Sequence, residues 1–199
     1  MQRLLVGKMK LLLASNSPRR KELLTGLDIP FEVRVIDGID ESHPEGVDIY
    51  SVPEILAQRK AVAYEGNIAD DEVILTADTV VILGEEILEK PKSLENAKEM
   101  LRQLSGRSHS VVTGVCIGTK HDLTYSHFSV LTEVRFKELS DEEINYYVEN
   151  YKPLDKAGAY GIQEWIGYVG VTGIDGSFYN VMGLPVQRIY PELTKIINL

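Results

Sequence analysis

The chain lacks the features that mark several broad classes of protein. Cys116 is its only cysteine, which excludes a disulfide framework and a cysteine-based metal cluster and favours a reducing compartment. No apolar run approaches the length of a membrane span, and the run 11–14 is too short for the apolar region of a signal peptide. We therefore expect a cytoplasmic protein without a membrane partner.

Positive charge is also scarce. The 199 residues include 21 Lys and Arg against 30 Asp and Glu, which gives a net charge of -9. A nucleic-acid polymer needs a broad basic face, so this composition argues against such a partner. The sequence contains no Walker-type loop, no Gly-x-Gly-x-x-Gly and no nucleophile elbow, and its four histidines lack metal-ligand spacing.

The basic residues are concentrated at a few points, the first of which is a predicted helix start. Arg19, Arg20 and Lys21 follow a Ser-Pro pair in the expected first turn, where the macrodipole and the free N–H groups disfavour cations. A bound phosphate reverses that argument, and Ser15 and Ser17 can cap the helix or donate to the anion.

A second basic cluster, Lys90 and Lys92, precedes another predicted helix, 94–104. Each cluster alone is as typical of solvated surface as of a binding site, whereas two together indicate one ligand with several phosphates. We therefore expect that removing Arg19 or Arg20 weakens ligand binding and leaves stability unchanged or slightly raised.

Hydrophobic patterning predicts a mixed α/β fold with long strands, several of them antiparallel, as one domain or two closely packed lobes. Strands are expected at 10–14, 31–35, 73–83, 87–88, 108–119 and 124–136, the third of them interrupted at 77–79. Helices are expected at 18–27, 51–64, 94–104, 140–151 and after Pro185, with capping-box spacing at Ser51-x-x-Glu54 and Ser140-x-x-Glu143.

Asp78 is the most informative polar residue, because it stands between the apolar runs 73–75 and 80–83. A carboxylate inside a sheet is costly unless it is paired, bound to a cation or open to a cleft, so the position favours catalysis or metal binding over a turn cap. Glu41 and Glu89 are candidate partners. Lys60, on the predicted second helix, can either reach a cleft or extend to solvent.

Four segments, taken in order, resemble the Maf family of nucleoside triphosphate pyrophosphatases. They are 13–20 (Leu-Ala-Ser-Asn-Ser-Pro-Arg-Arg), 77–81 with 88–91, 104–109, and 155–163 (Asp-Lys-Ala-Gly-Ala-Tyr-Gly-Ile-Gln). The resemblance extends from about Met9 to the terminal helix and leaves residues 1–8 as an extra segment of a single domain, 1–199. The fourth segment is similar to the form in the subgroup that acts on dTTP and UTP, although residues 164–168 depart from its Gly-rich continuation.

The resemblance implies an elongated mixed β-sheet flanked by helices, in two lobes with a central cleft, as in inosine triphosphate pyrophosphatases. It also implies hydrolysis of a nucleoside triphosphate to the monophosphate and pyrophosphate, with a divalent cation such as Mg or Mn, and a homodimer is expected. Modified pyrimidine nucleotides are further candidate substrates.

The same resemblance, joined to the residue chemistry, suggests a role for each candidate site residue. Asp78 is expected to act as general base or to hold the metal, with Glu41 as a metal or water ligand. Phosphate binding is expected of Ser15, Arg19, Arg20, Lys60 and Lys90. Base selection is carried by resemblance onto Arg20, Thr79 and Gln163.

Two other functions are compatible with the sequence. A phosphate-binding regulatory protein of cell division would use both basic clusters and would not need Asp78. A pyrophosphatase for non-standard purine nucleotides would use the same chemistry with a different base pocket. Pyrophosphate release tests the first alternative, and a substrate panel tests the second.

Overall fold

The computed structural model describes residues 9–197 and contains, within that range, seven strands and seven α-helices. The strands are β1 (Lys10–Leu13), β2 (Phe31–Val33), β3 (Glu72–Leu83), β4 (Glu86–Leu88), β5 (Ser108–Thr119), β6 (Ser126–Phe136) and β7 (Val171–Asp175). The helices are α1 (Pro18–Thr25), α2 (Val52–Val62), α3 (Leu94–Leu104), α4 (Asp141–Tyr151), α5 (Trp165–Gly170), α6 (Phe178–Met182) and α7 (Val186–Ile197). The expected extra segment 1–8 lies outside the described residues.

The strands form one mixed sheet in the order β2-β1-β3-β5-β6-β7, and β4 pairs with the far half of β3. β1 lies parallel to both β2 and β3, whereas β5, β6 and β7 continue the sheet in antiparallel fashion. The predicted class, a mixed α/β fold with several long antiparallel strands, is confirmed.

The central strand differs from its prediction in one respect. β3 is continuous through Asp78, which pairs with Gly114 of β5, so the predicted interruption at 77–79 is wrong. Polar side chains suggested a break there, but the backbone keeps its ladder hydrogen bonds because a side chain on a pleated strand projects away from them.

Helix capping follows the predictions at Ser17 and Ser140. Each accepts a backbone N–H bond in the first turn of its helix, as Ser93 does at the start of α3, and Ser140 with Glu143 forms a full capping box. The predicted box at Ser51 is wrong. Ser51 ends a short 3-10 turn in helical conformation and makes no side-chain cap, so its geometry differs from that of a capping residue.

The core lies on both faces of the sheet. One face packs against α3, α4 and α7 in a cluster that includes Leu75, Leu101 and Ile189. The other face packs against α2, where Ala57 and Ala61 contact Cys116. No helix within residues 9–197 is long and apolar enough to cross a bilayer.

Gly114 lets α2 approach the sheet directly beside Asp78. A Cβ atom there would lie 2.2 Å from the backbone N of Glu54 and 2.2 Å from the carbonyl carbon of Pro53. The backbone of the α2 start therefore rests on β5 at the position that pairs with Asp78.

We expect Gly114→Ala to lower the free energy of unfolding by about 3 kcal/mol or more, because the backbones of α2 and β5 must separate. Gly26→Ala is the matched control, since its added Cβ would lie 3.4 Å from the nearest atom at an ordinary φ of -64°. We expect the control to change that free energy by less than about 1 kcal/mol. Urea unfolding of both variants measures the difference, and similar midpoints would contradict this account of the α2 contact.

Candidate active site

A cleft of about 540 Å³ lies at the carboxyl end of β1 and beside the middle of β3. Ligands of open α/β sheets commonly bind outside the carboxyl ends of parallel strands. The lining includes all nine candidate site residues: Ser15, Arg19, Arg20, Glu41, Lys60, Asp78, Thr79, Lys90 and Gln163. Neither Lys21 nor Lys92 is among the described residues that line it.

Lys60 joins the two candidate acidic residues. Its Nζ lies 2.8 Å from Oδ1 of Asp78 and 2.9 Å from Oε1 of Glu41. The side chains of Lys60 and Asp78 are 11% and 16% exposed, whereas that of Glu41 is 58% exposed. The sequence left open whether Lys60 reaches a cleft or extends to solvent, and in the structure it reaches the cleft.

The cations of the cleft lower the pKa of Glu41. Partial burial acts to raise the pKa of its carboxyl group, but the hydrogen bond and charge of Lys60 outweigh burial, with help from Lys90 and Arg20. The pKa of Glu41 is therefore lower than usual, and the group is a carboxylate at neutral pH. Glu89, the other candidate partner of Asp78, lies instead 3.6 Å from His43.

The two carboxylates beside Lys60 fit a hard divalent cation that arrives with phosphate. Mg²⁺ is usually bound by one or two carboxylates with substrate phosphates and water, and Glu41 and Asp78 supply two carboxylates at one point of the cleft. Within residues 9–197, no group of three or more His, Cys, Asp or Glu side chains forms a metal cage. These residues therefore suit a cation that the substrate helps to hold.

Arg20 makes protein contacts with all parts of its guanidinium group. Nε donates to the carbonyl of Gly183 (2.9 Å), Nη1 to that of Ala77 (2.8 Å) and Nη2 to Oγ1 of Thr79 (3.1 Å). Thr79 Oγ1 also bonds Thr113 Oγ1 at 2.9 Å. Arg20 therefore joins α1, β3 and the end of α6, and it does so through neutral partners.

Arg19 points to the other wall of the cleft, where Nη1 lies 2.9 Å from Oδ2 of Asp155. Burial acts to raise the pKa of Asp155, but hydrogen bonds from Lys156 and Arg19 outweigh it and keep the pKa below its usual value. Ser15 Oγ accepts the N–H of Ser17 at 3.2 Å in the turn before α1. Lys90 lines the cleft without an ion pair to any described residue.

Gln163 lines the cleft and also borders a second cavity, of about 420 Å³, lined by residues that include Tyr168, Phe178 and Tyr179. Its Oε1 is buried and has no hydrogen-bond partner among the described residues. A buried acceptor without a partner is unfavourable in the free protein, so the side chain can gain by meeting a ligand N–H group.

The family model for "Maf-like protein" matches residues 10–196. The chain belongs to the Maf family.

Several curated proteins are similar to this Maf protein over most of their length. It is 58% identical to a protein named dTTP/UTP pyrophosphatase from Parabacteroides distasonis, over 94% of this chain and 95% of the relative. It is 55% identical to one of the same name from Porphyromonas gingivalis, over 94% of each chain. A solved structure of a nucleoside-triphosphatase / dITP/XTP pyrophosphatase from Mycobacterium abscessus matches with a TM-score of 0.44 and 14% identity, covering 93% of each chain.

Sequence reasoning missed part of the Maf cleft. Asp155 and Lys156 line it, but this charged pair at the start of segment 155–163 was given no role from the sequence. Tyr64 lines the cleft from the end of α2, and its hydroxyl donates to the carbonyl of Arg34 at 2.7 Å. Its position among apolar residues is typical of core, so only the three-dimensional contact identifies it.

The contacts of Arg20 reverse the expected effect of its removal. We predict that Arg20→Ala lowers the free energy of unfolding of this Maf protein by about 2–3 kcal/mol, because three hydrogen bonds from a charged group are lost. Arg19→Ala is the matched control and removes one solvent-accessible ion pair, which contributes about 0–1 kcal/mol. Urea unfolding of the ligand-free variants measures both, and equal stability would contradict a structural role for Arg20.

Proposed function

We propose that this chain hydrolyses nucleoside triphosphates, dTTP and UTP in particular, to the monophosphate and pyrophosphate. The observation that carries the proposal is the pairing of Asp78 with Lys60 and Glu41 inside a cleft that Arg19 and Lys90 also line. The curated relatives named dTTP/UTP pyrophosphatase support both the reaction and the pyrimidine substrates.

Phosphoryl transfer depends mainly on positioning and on neutralising charge at the phosphates. Arg19, Lys60 and Lys90 approach the cleft from α1, α2 and the segment after β4, so one triphosphate can contact cations on three sides. The free N–H groups at the start of α1 add partial positive charge. Arg20 contributes mainly by holding the α1 start against β3.

Asp78 is the proposed acceptor for the proton of the attacking water, or a ligand of the cation that activates this water. Its Oδ1 accepts from Lys60, and its Oδ2 has no hydrogen bond to a described residue, which leaves that oxygen available in the cleft. Water adds to phosphorus as the anhydride bond breaks, and its proton passes to the carboxylate of Asp78. Pyrophosphate then separates from the nucleoside monophosphate.

We propose a divalent cation, Mg or Mn, held by Asp78 and Glu41 together with substrate phosphates. When bound, it would supply charge neutralisation and a polarised water. We also propose that the protein works in the cytoplasm, which the single buried free thiol of Cys116 supports, and that it forms a homodimer.

Pyrophosphate release from a panel of pyrimidine, purine and modified nucleotides, with Mg²⁺ or Mn²⁺, tests the proposal. We expect dTTP and UTP to be cleaved best and turnover to require the metal. Nucleotide binding without cleavage would favour a regulatory protein, and preference for non-standard purines would favour the other alternative.

We expect Asp78→Asn to lower turnover by about a hundredfold or more, because the amide keeps the shape of the side chain and loses its charge and basicity. The amide oxygen can still accept from Lys60, so the variant should fold. Pyrophosphate release measures turnover, and thermal unfolding checks the fold. Full activity in a folded variant would remove Asp78 from the mechanism.

We expect Gln163→Ala to flatten the preference for dTTP and UTP over other nucleotides by about 1–3 kcal/mol, the contribution of one specific hydrogen bond. Uracil and thymine present an N3–H donor between two carbonyls, and the buried Oε1 of Gln163 is a suitable acceptor. The ratios of kcat/KM across the panel measure the preference. An equal loss on every nucleotide would mean that Gln163 serves the phosphates or the fold.

A further inference from the structure

The segment that carries Gln163 is attached to α4 by one hydroxyl group. Tyr147 on α4 is fully buried, and its OH accepts the backbone N–H of Gly161 at 3.0 Å. The same OH donates to Oε2 of Glu164. Tyr147 thus bonds the residues on both sides of Ile162-Gln163, and it is not among the residues that line the cleft.

The attachment continues from Glu164 to the phosphate side of the cleft. Lys156 Nζ lies 3.2 Å from Oε1 of Glu164 and 2.8 Å from Oδ1 of Asp155, and Asp155 in turn pairs with Arg19. Lys156 is buried, and its charge is paired with both carboxylates. A continuous set of polar contacts therefore connects α4, the Gln163 segment and the first turn of α1.

The backbone of this segment has little room to relax. Gly158 and Ala159 both have positive φ, 67° and 60°, and the left-handed conformation of Ala159 is costly unless its surroundings impose it. A Cβ at Gly161 would lie 2.9 Å from Cδ of Glu164 and 3.1 Å from Cε of Lys156. The polar contacts thus hold a tightly packed turn whose geometry determines where Gln163 projects.

We propose that Tyr147 is a positioning residue for base selection, acting through Gly161 and Glu164 on the orientation of Gln163. This inference rests on the proposed role of Gln163 in base recognition. A glutamine amide can present either order of donor and acceptor, and so can match uracil or cytosine according to its rotation. The atoms around the buried Oε1 limit that rotation while the backbone holds the side chain against them, whereas a loosened backbone lets the amide adapt to either base.

A purely structural role for Tyr147 predicts a different effect of Tyr147→Phe, namely no change in the preference among nucleotides. The ring of Tyr147 packs in the core and stacks on Tyr151, with centroids 5.0 Å apart, and phenylalanine preserves this packing. Removal of the hydroxyl leaves the N–H of Gly161 and one oxygen of Glu164 without a partner, so the change is confined to the Gln163 segment. General destabilisation would reduce activity on all nucleotides equally.

The test compares Tyr147→Phe with Tyr151→Phe in the full chain. Tyr151 lies one turn further along α4, and its hydroxyl bonds no described residue, so the control makes the same chemical change outside the set of contacts. The UTP:CTP ratio is measured twice, as kcat/KM for pyrophosphate release and as affinity for non-hydrolysable analogues of both nucleotides. We expect the ratio to fall about tenfold in Tyr147→Phe and to stay unchanged in Tyr151→Phe.

Glu164→Gln provides a second variant should Tyr147→Phe fail to fold. It keeps an oxygen for the Tyr147 hydroxyl and loses the charge that faces Lys156, so the ratio should fall in the same direction. Acrylamide quenching of Trp165, the single tryptophan, should increase in either variant, because Trp165 directly follows Glu164.

An unchanged UTP:CTP ratio in the folded variants, or equal loss on both nucleotides, would overturn the positioning role. If the wild-type protein releases no pyrophosphate but still prefers the UTP analogue, the proposed hydrolysis fails. The affinity ratio then decides the positioning role on its own.

Discussion

The ammonium group of Lys60 holds together the three parts of the chain that form the cleft. Asp78 is set in the central strand, where it pairs with Gly114 of β5 and lies between the parts of β3 that pair with β1 and with β4. An unpaired carboxylate there would be strongly destabilising. Lys60 supplies the opposite charge from α2, and the same nitrogen bonds Glu41 from the segment after β2. The arrangement requires α2 to lie against the sheet, which Gly114 permits because it has no side chain between β5 and the helix start.

The basic cluster at α1 illustrates how a correct physical argument can lead to an incomplete answer. Cations in a first helical turn do need compensation, but the protein provides it to each arginine differently. Arg19 has the carboxylate of Asp155, whereas Arg20 has two backbone carbonyls and a threonine hydroxyl. The carbonyls neutralise no charge, so the positive field of Arg20 still extends into the cleft while its hydrogen bonds serve the fold.

Local signals allowed most elements and the mid-sheet position of Asp78 to be predicted. The features that could not be predicted depend on long-range contacts. Ser140 and Glu143 form a capping box because both lie in one exposed turn, but the Glu54 carboxylate bonds His127 and Ser129 of β6, more than 70 residues away. Residue chemistry pointed to Asp78 and to most of the cations that line the cleft, and the family resemblance added Thr79 and Gln163. Tyr147 escaped detection because an apolar helix face with a tyrosine is typical of core, and its hydroxyl acquires meaning only where Gly161 and Glu164 meet it.

The charge distribution of the cleft suggests how a triphosphate can enter a protein of net charge -9. In the ligand-free arrangement Arg19 and Lys60 are already paired, with Asp155 in one case and with Asp78 and Glu41 in the other. Phosphate oxygens that take these cations release the carboxylates, and a hard cation bound to the phosphates can then pair with Asp78 and Glu41. The charged side chains exchange partners, and none is left buried without an opposite charge. Their charges can therefore be compensated both with and without a ligand in the cleft. Under the proposed function, an anion that arrives without a metal would leave the released carboxylates facing it, so the cleft would favour metal-bound phosphates over other small anions.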